Sequence, residues 1–375
     1  MAKKLKLMTV LGTRPEIIRL SEVIKKCDLY FDHILVHTGQ NWDESLNKIF
    51  FDNLGLRAAD HYLDAVGKDL GETMGNIIAK SYQLISEVRP DAFLVLGDTN
   101  SALSAIAAKR LKVPVFHMEA GNRCFDENLP EETNRRIVDH ISDVNLCYSE
   151  HARRYLNREG LPVERTYVTG SPMAEVLSAN IEKIRNSKAL ETLNLEKGKY
   201  ILLSAHREEN IDIEENFFAL MNAINAMAEH YNMPVIYSTH PRSAKYIAGR
   251  NFEFHPYVRS LKPFGFSDYN NLQINAYCVV SDSGTLPEEA SYFKFPAVCI
   301  RTSTERPEAL DKGNFIIGSI STEQVLQSVD MAVAMGANGD FGSTVPDYTD
   351  ENVSTKVVKI IQSYTGIVNR MVWRK

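Results

Sequence analysis

The chain has 375 residues, a hydrophobic fraction of 44%, a charged fraction of 24% and a formal net charge of −6. That length sets a prior of two domains, each with a sizeable core, and the mild acidity leaves no electrostatic footprint for nucleic acid or an anionic membrane surface. No apolar run approaches the roughly 18 residues that span a bilayer.

The start is basic and then apolar, which imitates a secretion signal. Its apolar part is short and runs into Gly12-Thr13-Arg14-Pro15-Glu16 without a small-residue cleavage site, so a first buried strand is the expectation. Leu5–Leu11 reads as that strand and Pro15–Cys27 as a helix with Ile17, Ile18, Leu20, Val23 and Ile24 on one side. Strands are predicted at His33–Thr38, Ala92–Gly97, Val113–Met118, Val144–Tyr148 and Thr166–Thr169. Helices are predicted at Gly71–Val88, Ser101–Leu111, Glu131–Ile141 and Glu150–Arg158. Near-continuous apolar strands separated by helices mean a parallel sheet covered on both faces.

Composition turns polar over Gly170–Lys199, and a second series follows. It has strands at Tyr200–Ala205, Pro234–Thr239, Ala276–Ser281 and Ala297–Arg301, with helices at Phe217–His230 and Pro287–Phe293. The boundary is expected near Pro172. The fold class is therefore α/β, with two doubly wound Rossmann-like domains and a ligand cleft between them at the carboxyl ends of both sheets. A last helix, Asn352–Met371, caps the second domain or crosses back to the first.

Five scattered cysteines (Cys27, Cys124, Cys147, Cys278, Cys299) have no C-x-x-C spacing. They argue against a disulfide framework or a zinc site and fit a reducing, cytoplasmic compartment.

The chemistry-bearing residues all follow strands. Gly12–Glu16 joins the first strand to its helix, and Pro15 suits the first helical position, so Arg14 and the preceding N–H groups would face an anion. It is not G-x-G-x-x-G, so no dinucleotide is indicated. Ser281-Asp282-Ser283-Gly284-Thr285 opens the helix carrying Glu288 and Glu289, which either complement the helix dipole or accept from a ribose diol. Arg301 and Arg306, near hydroxyls, look like diphosphate clamps. Asp98 and Glu119 end consecutive strands, with a helix N-cap as the plainer reading of Asp98. Glu131 and Glu132 start the helix after Pro130, as dipole partners or as chemistry. Three carboxylate sites on one cleft would raise each other's pKa and suit acid–base work. His206 and His240 end strands of the second half, and the arginines near them argue against a metal.

Together these loops resemble the non-hydrolysing UDP-N-acetylglucosamine 2-epimerase family. The motifs GTRPE at Gly12, GDTNS at Gly97, HMEAG at His117, PEETNR at Pro130, HREEN at His206, SDSG at Ser281 and TERPE at Thr304 occur in family order. The resemblance implies a GT-B-like pair of domains, 1–171 and a UDP-binding 172–351, with residues 352–375 returning to the first domain, and a homodimer. It implies that Asp98, Glu119 and Glu131 are acid/base carboxylates and His206 a catalytic-site histidine. Arg14, His240, Ser283, Gly284, Glu289 and Arg306 match nucleotide-binding positions, and Tyr269 matches an aromatic residue near the uracil, in a loop.

Some stretches depart from the family pattern. Arg19 stands where the UDP-GlcNAc enzymes carry Lys, and Thr285 replaces a second Gly. Gln40-Asn41-Trp42-Asp43 replaces the segment linked to allosteric substrate binding. The shortened Asn122–Leu129 stretch and the Asn369–Trp373 ending resemble the capsule and O-antigen branch, which makes UDP-N-acetyl-L-fucosamine from UDP-2-acetamido-2,6-dideoxy-L-talose. That branch is the expectation, with UDP-GlcNAc epimerisation to UDP-ManNAc as the alternative and a GT-B glycosyltransferase behind it. The C2 hydrogen has no adjacent carbonyl, so inversion is expected to pass through loss and re-addition of UDP. That chemistry needs neither metal nor redox cofactor, and its partner is a UDP-linked 2-acetamido sugar.

Overall fold

The structure, a computed structural model, describes residues 3–39, 44–301 and 303–375. Two compact units make up the chain: Met1–Ala179 together with Pro346–Lys375, and Asn180–Val345. The stretch Gln40–Asp43, and with it the expectation about allosteric binding, lies outside the described residues, as does Thr302 in the loop after Arg301.

Among the described residues the first unit carries seven strands: β1 (Lys6–Leu11), β2 (Asp32–His37), β3 (His61–Tyr62), β4 (Ala92–Leu96), β5 (Val115–Ala120), β6 (Val144–Cys147) and β7 (Thr166–Val168). They pair in the order β3-β2-β1-β4-β5-β6-β7, all parallel. Every residue of Ala92-Phe93-Leu94-Val95-Leu96 is buried, as a strand covered by helices on both faces requires. The order reverses between β1 and β4, and such a switch point opens a crevice at the carboxyl ends of those strands.

Part of that cover comes from the helix Arg14–Tyr30, which buries Ile17, Leu20, Val23, Ile24 and Cys27. The C-terminal helix Val353–Met371 belongs to the same unit and buries Val353, Val357, Ile361 and Val368. Polar ties fix its first turn: the Ser354 N–H donates to Glu175 at 2.8 Å and Lys356 Nζ to the Thr169 carbonyl at 2.9 Å.

The second unit repeats the plan with β8 (Ile201–Ser204), β9 (Val235–Ser238), β10 (Val258–Leu261), β11 (Cys278–Ser281), β12 (Ala297–Cys299) and β13 (Ile316–Ile317). Their order is β10-β9-β8-β11-β12-β13, again all parallel. Its core packs Ile201, Leu203, Val235, Tyr237, Val280 and Val298 beneath Phe217, Leu220, Ile224 and Met227 of the helix Glu214–Tyr231. The strands missed by periodicity are β3, β10 and β13. β3 and β13 are two-residue edges, and β10 reads Val-Arg-Ser-Leu.

His37 closes β2 and is 1% exposed. The Gly39 N–H donates to its Nδ1 at 3.0 Å, so the ring is neutral with its proton on Nε2. Burial pushes its pKa down to about 4, against a smaller upward pull from Asp64. The unfolded ring titrates near ~6.5, so folding loses stability as pH falls from that value toward 4, by roughly 3 kcal/mol in full. His37→Asn retains an acceptor for Gly39 and is expected to flatten this acid limb in urea titrations between pH 4 and 7. An unchanged limb would show that burial does not shift the titration of His37 away from that of the unfolded chain.

Candidate active site

The N-terminal loops are held by acids buried behind them. Glu16, 1% exposed, accepts from the Gly12 N–H at 3.0 Å, the Thr13 N–H at 2.8 Å, Thr13 Oγ1 at 2.8 Å and Ser101 Oγ at 2.7 Å. These bonds correct the anion reading of this turn, because the Gly12 and Thr13 donors are turned onto the protein's own carboxylate. Arg14 remains at the mouth of β1, its guanidinium 5.5 Å from the Phe50 ring centroid.

Asp98 follows β4 and Glu119 lies near the end of β5, the adjacent strand, with Leu96 paired to Met118. The pairing of β5 with β6 shifts register between Met118 and Ala120, and Glu119 there takes φ +63. A left-handed conformation costs a non-glycine residue about 1–2 kcal/mol, and such strain persists only where the surroundings over-determine it. Here they do. Arg19 Nη1 meets Glu119 Oε2 at 2.6 Å and Asn122 Nδ2 donates to Oε1 at 3.2 Å, all three side chains being buried.

Asp98 is gripped by Arg135, whose Nε and Nη2 donate to Oδ2 at 3.0 and 2.6 Å. Arg135 also meets Glu132 at 3.0 Å, and Asn134 Nδ2 donates to the Asp98 carbonyl at 3.0 Å. Both Asp98 and Glu119 thus have a guanidinium in direct contact. Glu131 stands half-buried in the first turn of the helix Pro130–Ile141, three and four residues before Asn134 and Arg135. That spacing shares one helix face and was the signal in PEETNR for the missed partners of Asp98. Glu132 is the buried acid of the pair and also meets Arg136 at 3.1 Å.

In the second unit, His206 follows β8 and His240 follows β9, with ring centroids 5.4 Å apart. His240 caps the helix Pro241–Gly249, its Nδ1 accepting from the Arg242 N–H at 3.2 Å. After β11, the Ser283 N–H donates to Ser281 Oγ at 3.0 Å and Ser283 Oγ meets Thr285 Oγ1 at 3.0 Å, so this turn is organised by its own hydroxyls around Gly284. Glu289, in the first turn of the helix Leu286–Phe293, accepts from Gln273 Nε2 at 2.6 Å. Gln273 lies on the helix Phe266–Asn275, which also carries Tyr269, so Tyr269 stands on a helix rather than in a loop.

Of the two arginines read as clamps, Arg301 is buried and paired with Glu305 at 2.7 Å. It braces the loop. Arg306 is 1% exposed, with Nη2 3.9 Å from Glu288. Among the described residues, no group of three His, Cys, Asp or Glu side chains is placed to hold a metal ion, and no helix is long and apolar enough to cross a membrane.

Two Rossmann-type sheets with polar loops at the carboxyl ends of their strands define a GT-B-like epimerase fold. A family model described as UDP-N-acetylglucosamine 2-epimerase matches residues 25–362. The chain belongs to that family and is an isomerase of the UDP-N-acetylhexosamine 2-epimerase type.

A solved structure of UDP-N-acetylglucosamine 2-epimerase from Rickettsia bellii is 45% identical, with TM-score 0.92 over 99% of this chain and 100% of that one. The UDP-N-acetylglucosamine 2-epimerase of Methanocaldococcus jannaschii is 34% identical over 87% of this chain and 92% of its own. Its crystal structure in complex with UDP-GlcNAc and UDP superposes with TM-score 0.89 at 30% identity, covering 96% and 99% of the two chains. A UDP-2,3-diacetamido-2,3-dideoxy-D-glucuronate 2-epimerase of Pseudomonas aeruginosa is 30% identical over 92% and 94%. None of these three names is the 6-deoxy-L-talose sugar to which Asn122–Leu129 pointed, so the comparisons favour UDP-GlcNAc over that expectation.

Gly97 has φ +71, and a Cβ there would lie 3.2 Å from Glu119 Oε2. Gly97→Ala is therefore expected to cost about 1–2 kcal/mol in urea unfolding and, by displacing the carboxylate, to slow turnover roughly tenfold or more. Wild-type rate and stability together would mean that the approach of β4 to Glu119 is not tight.

Proposed function

We propose that the protein interconverts UDP-GlcNAc and UDP-ManNAc by eliminating and re-adding UDP. The observation that carries this reading is the pair of carboxylates, Asp98 and Glu119, at the ends of neighbouring strands, each in contact with an arginine. A base takes the C2 proton, the C–H electron pair becomes the C1=C2 π bond, and the C1–O pair leaves with the diphosphate. Addition of UDP at C1 and protonation of C2 from the other face complete inversion. No electron is gained or lost overall, so no redox partner is needed. The two faces require two acid/base groups, drawn from Asp98, Glu119 and Glu131. His206 joins them, and Arg14, Arg19, His240, Tyr269, Ser283, Gly284, Glu289 and Arg306 hold the nucleotide sugar.

A second reading, 2-epimerisation of UDP-2-acetamido-2,6-dideoxy-L-talose, is favoured by one observation. The Asn122–Leu129 stretch that departs from the UDP-GlcNAc members contacts the proposed chemistry directly, through Asn122 on Glu119. Arg123 anchors this stretch to Asp139 at 2.7 Å and to Glu159 at 2.6 Å.

Proton NMR in D₂O separates the readings. With UDP-GlcNAc, deuterium is expected at C2 together with the manno epimer. Exchange confined to the 6-deoxy-L-talose sugar would select the second reading, and exchange with neither would sink both. Asp98→Asn is expected to lower turnover by roughly a hundredfold or more while calorimetry finds UDP affinity little changed. If UDP affinity falls in step with rate, Asp98 is a binding residue and the acid/base role is lost.

A further inference from the structure

We propose that Asp282 is the positioning residue of His206: its buried carboxylate fixes the imidazole with a proton on Nδ1 and so makes Nε2 the nitrogen that exchanges a proton during turnover. The inference rests on the reading that His206 belongs to the catalytic machinery.

Asp282 follows β11 at the place where that strand lies beside β8, and it is completely buried. Its own N–H donates to the Ser204 carbonyl at 3.1 Å, which ties it to the end of β8. Its two oxygens do different things. Oδ2 accepts the N–H groups of His206 and Arg207 at 2.8 and 2.9 Å and Asn210 Nδ2 at 3.2 Å, fixing the backbone of the loop. Oδ1 accepts no hydrogen bond among the described residues, and the group it faces is His206 Nδ1, 3.3 Å away.

That distance is just beyond a well-formed N–H···O bond and within the range of an ion pair. Buried carboxylate oxygens are satisfied by donors, and an ionised carboxylate can only accept. The proton shared across this contact therefore sits on Nδ1, and the other nitrogen gains and loses a proton.

The surroundings of the ring fit this assignment. His240 lies against it with its plane inclined by 32°, and the neighbouring Arg207 is directed toward Glu305, at 3.5 Å. Burial raises the pKa of Glu209, on the short helix Glu208–Ile211, against a backbone hydrogen bond and the pull of Arg207 and Arg301. Asp282 Oδ1 lies 3.3 Å from the Nδ1 edge of the ring.

The separate tasks of the two oxygens make Asp282→Asn a clean test. The amide oxygen keeps the clamp on the His206 and Arg207 N–H groups. The amide nitrogen takes the place of Oδ1 and donates to Nδ1, moving the ring proton to Nε2. A fall in kcat of roughly a hundredfold is expected, with KM and the thermal midpoint close to wild type. In ¹⁵N-histidine spectra, the His206 ring, identified by its loss in His206→Asn, should change from the Nδ1–H to the Nε2–H tautomer. In a His206→Asn background, Asp282→Asn should cause no further loss of kcat.

An Nε2–H tautomer in the wild-type protein overturns the proposal whether or not Asp282→Asn folds. So does full kcat in Asp282→Asn when His206→Asn is impaired. Normal turnover by His206→Asn instead removes His206 from the machinery and overturns the catalytic half of the proposal, while the tautomer still decides the positioning half.

Discussion

One arrangement recurs in both units, and the loops around it depend on it: a buried carboxylate that accepts two successive backbone N–H groups where the chain leaves the strand at the switch point. Glu16 holds Gly12 and Thr13 after β1, and Asp282 holds His206 and Arg207 after β8. Backbone donors leaving a buried strand must find acceptors. A carboxylate with two oxygens satisfies a pair of them and still has capacity for a side chain, Ser101 in one case and the His206 ring in the other. The backbone donors of each loop are thereby satisfied by the protein's own carboxylate. The acid is supplied by the helix following the loop in the first unit and by the neighbouring strand in the second, so the two clamps reach one geometry by different routes.

The same economy governs the polar groups beside them. Glu119 meets Arg19 at the point where the register of β5 against β6 shifts between Met118 and Ala120. Its left-handed backbone is retained because Arg19 and Asn122 hold the carboxylate and Gly97 leaves room for it. Asp98 is oriented from outside its own loop, by Arg135 and Asn134 on one face of the helix Pro130–Ile141. Each of these two acids thus has an arginine from a different element to set its direction, which is the kind of support a site needs if its groups are to meet a substrate without reorganising.

The shortened stretch after β5 connects this region to a buried ion network. Arg123, 1% exposed, reaches Asp139 and Glu159, and the Gly121 N–H donates to Asp139 at 3.1 Å. The segment that most distinguishes this chain from the UDP-GlcNAc pattern is therefore anchored at its root, close to Glu119.

The amino-acid sequence by itself determined the buried strands of both sheets and several of the helices between them, though not β10 or the helices Pro241–Gly249 and Thr322–Ala337, because buried parallel strands are near-continuous apolar runs and their period is local information. It also determined the family, through motifs that sit just after those strands. Local pattern could not show the two-residue edges β3 and β13, or that Tyr269 rides on a helix whose apolar stripe is narrow. Nor could it show which polar groups face each other. Gly12–Glu16 reads as an anion site until the fold turns its donors onto Glu16, and Arg301 as a clamp until Glu305 takes it. The pairing of Arg135 with Asp98 and of Asp282 with the His206 loop was set only by tertiary structure, since these partners lie far apart in sequence. The direction of a side chain at a loop is set by what packs against it, and periodicity carries no record of that.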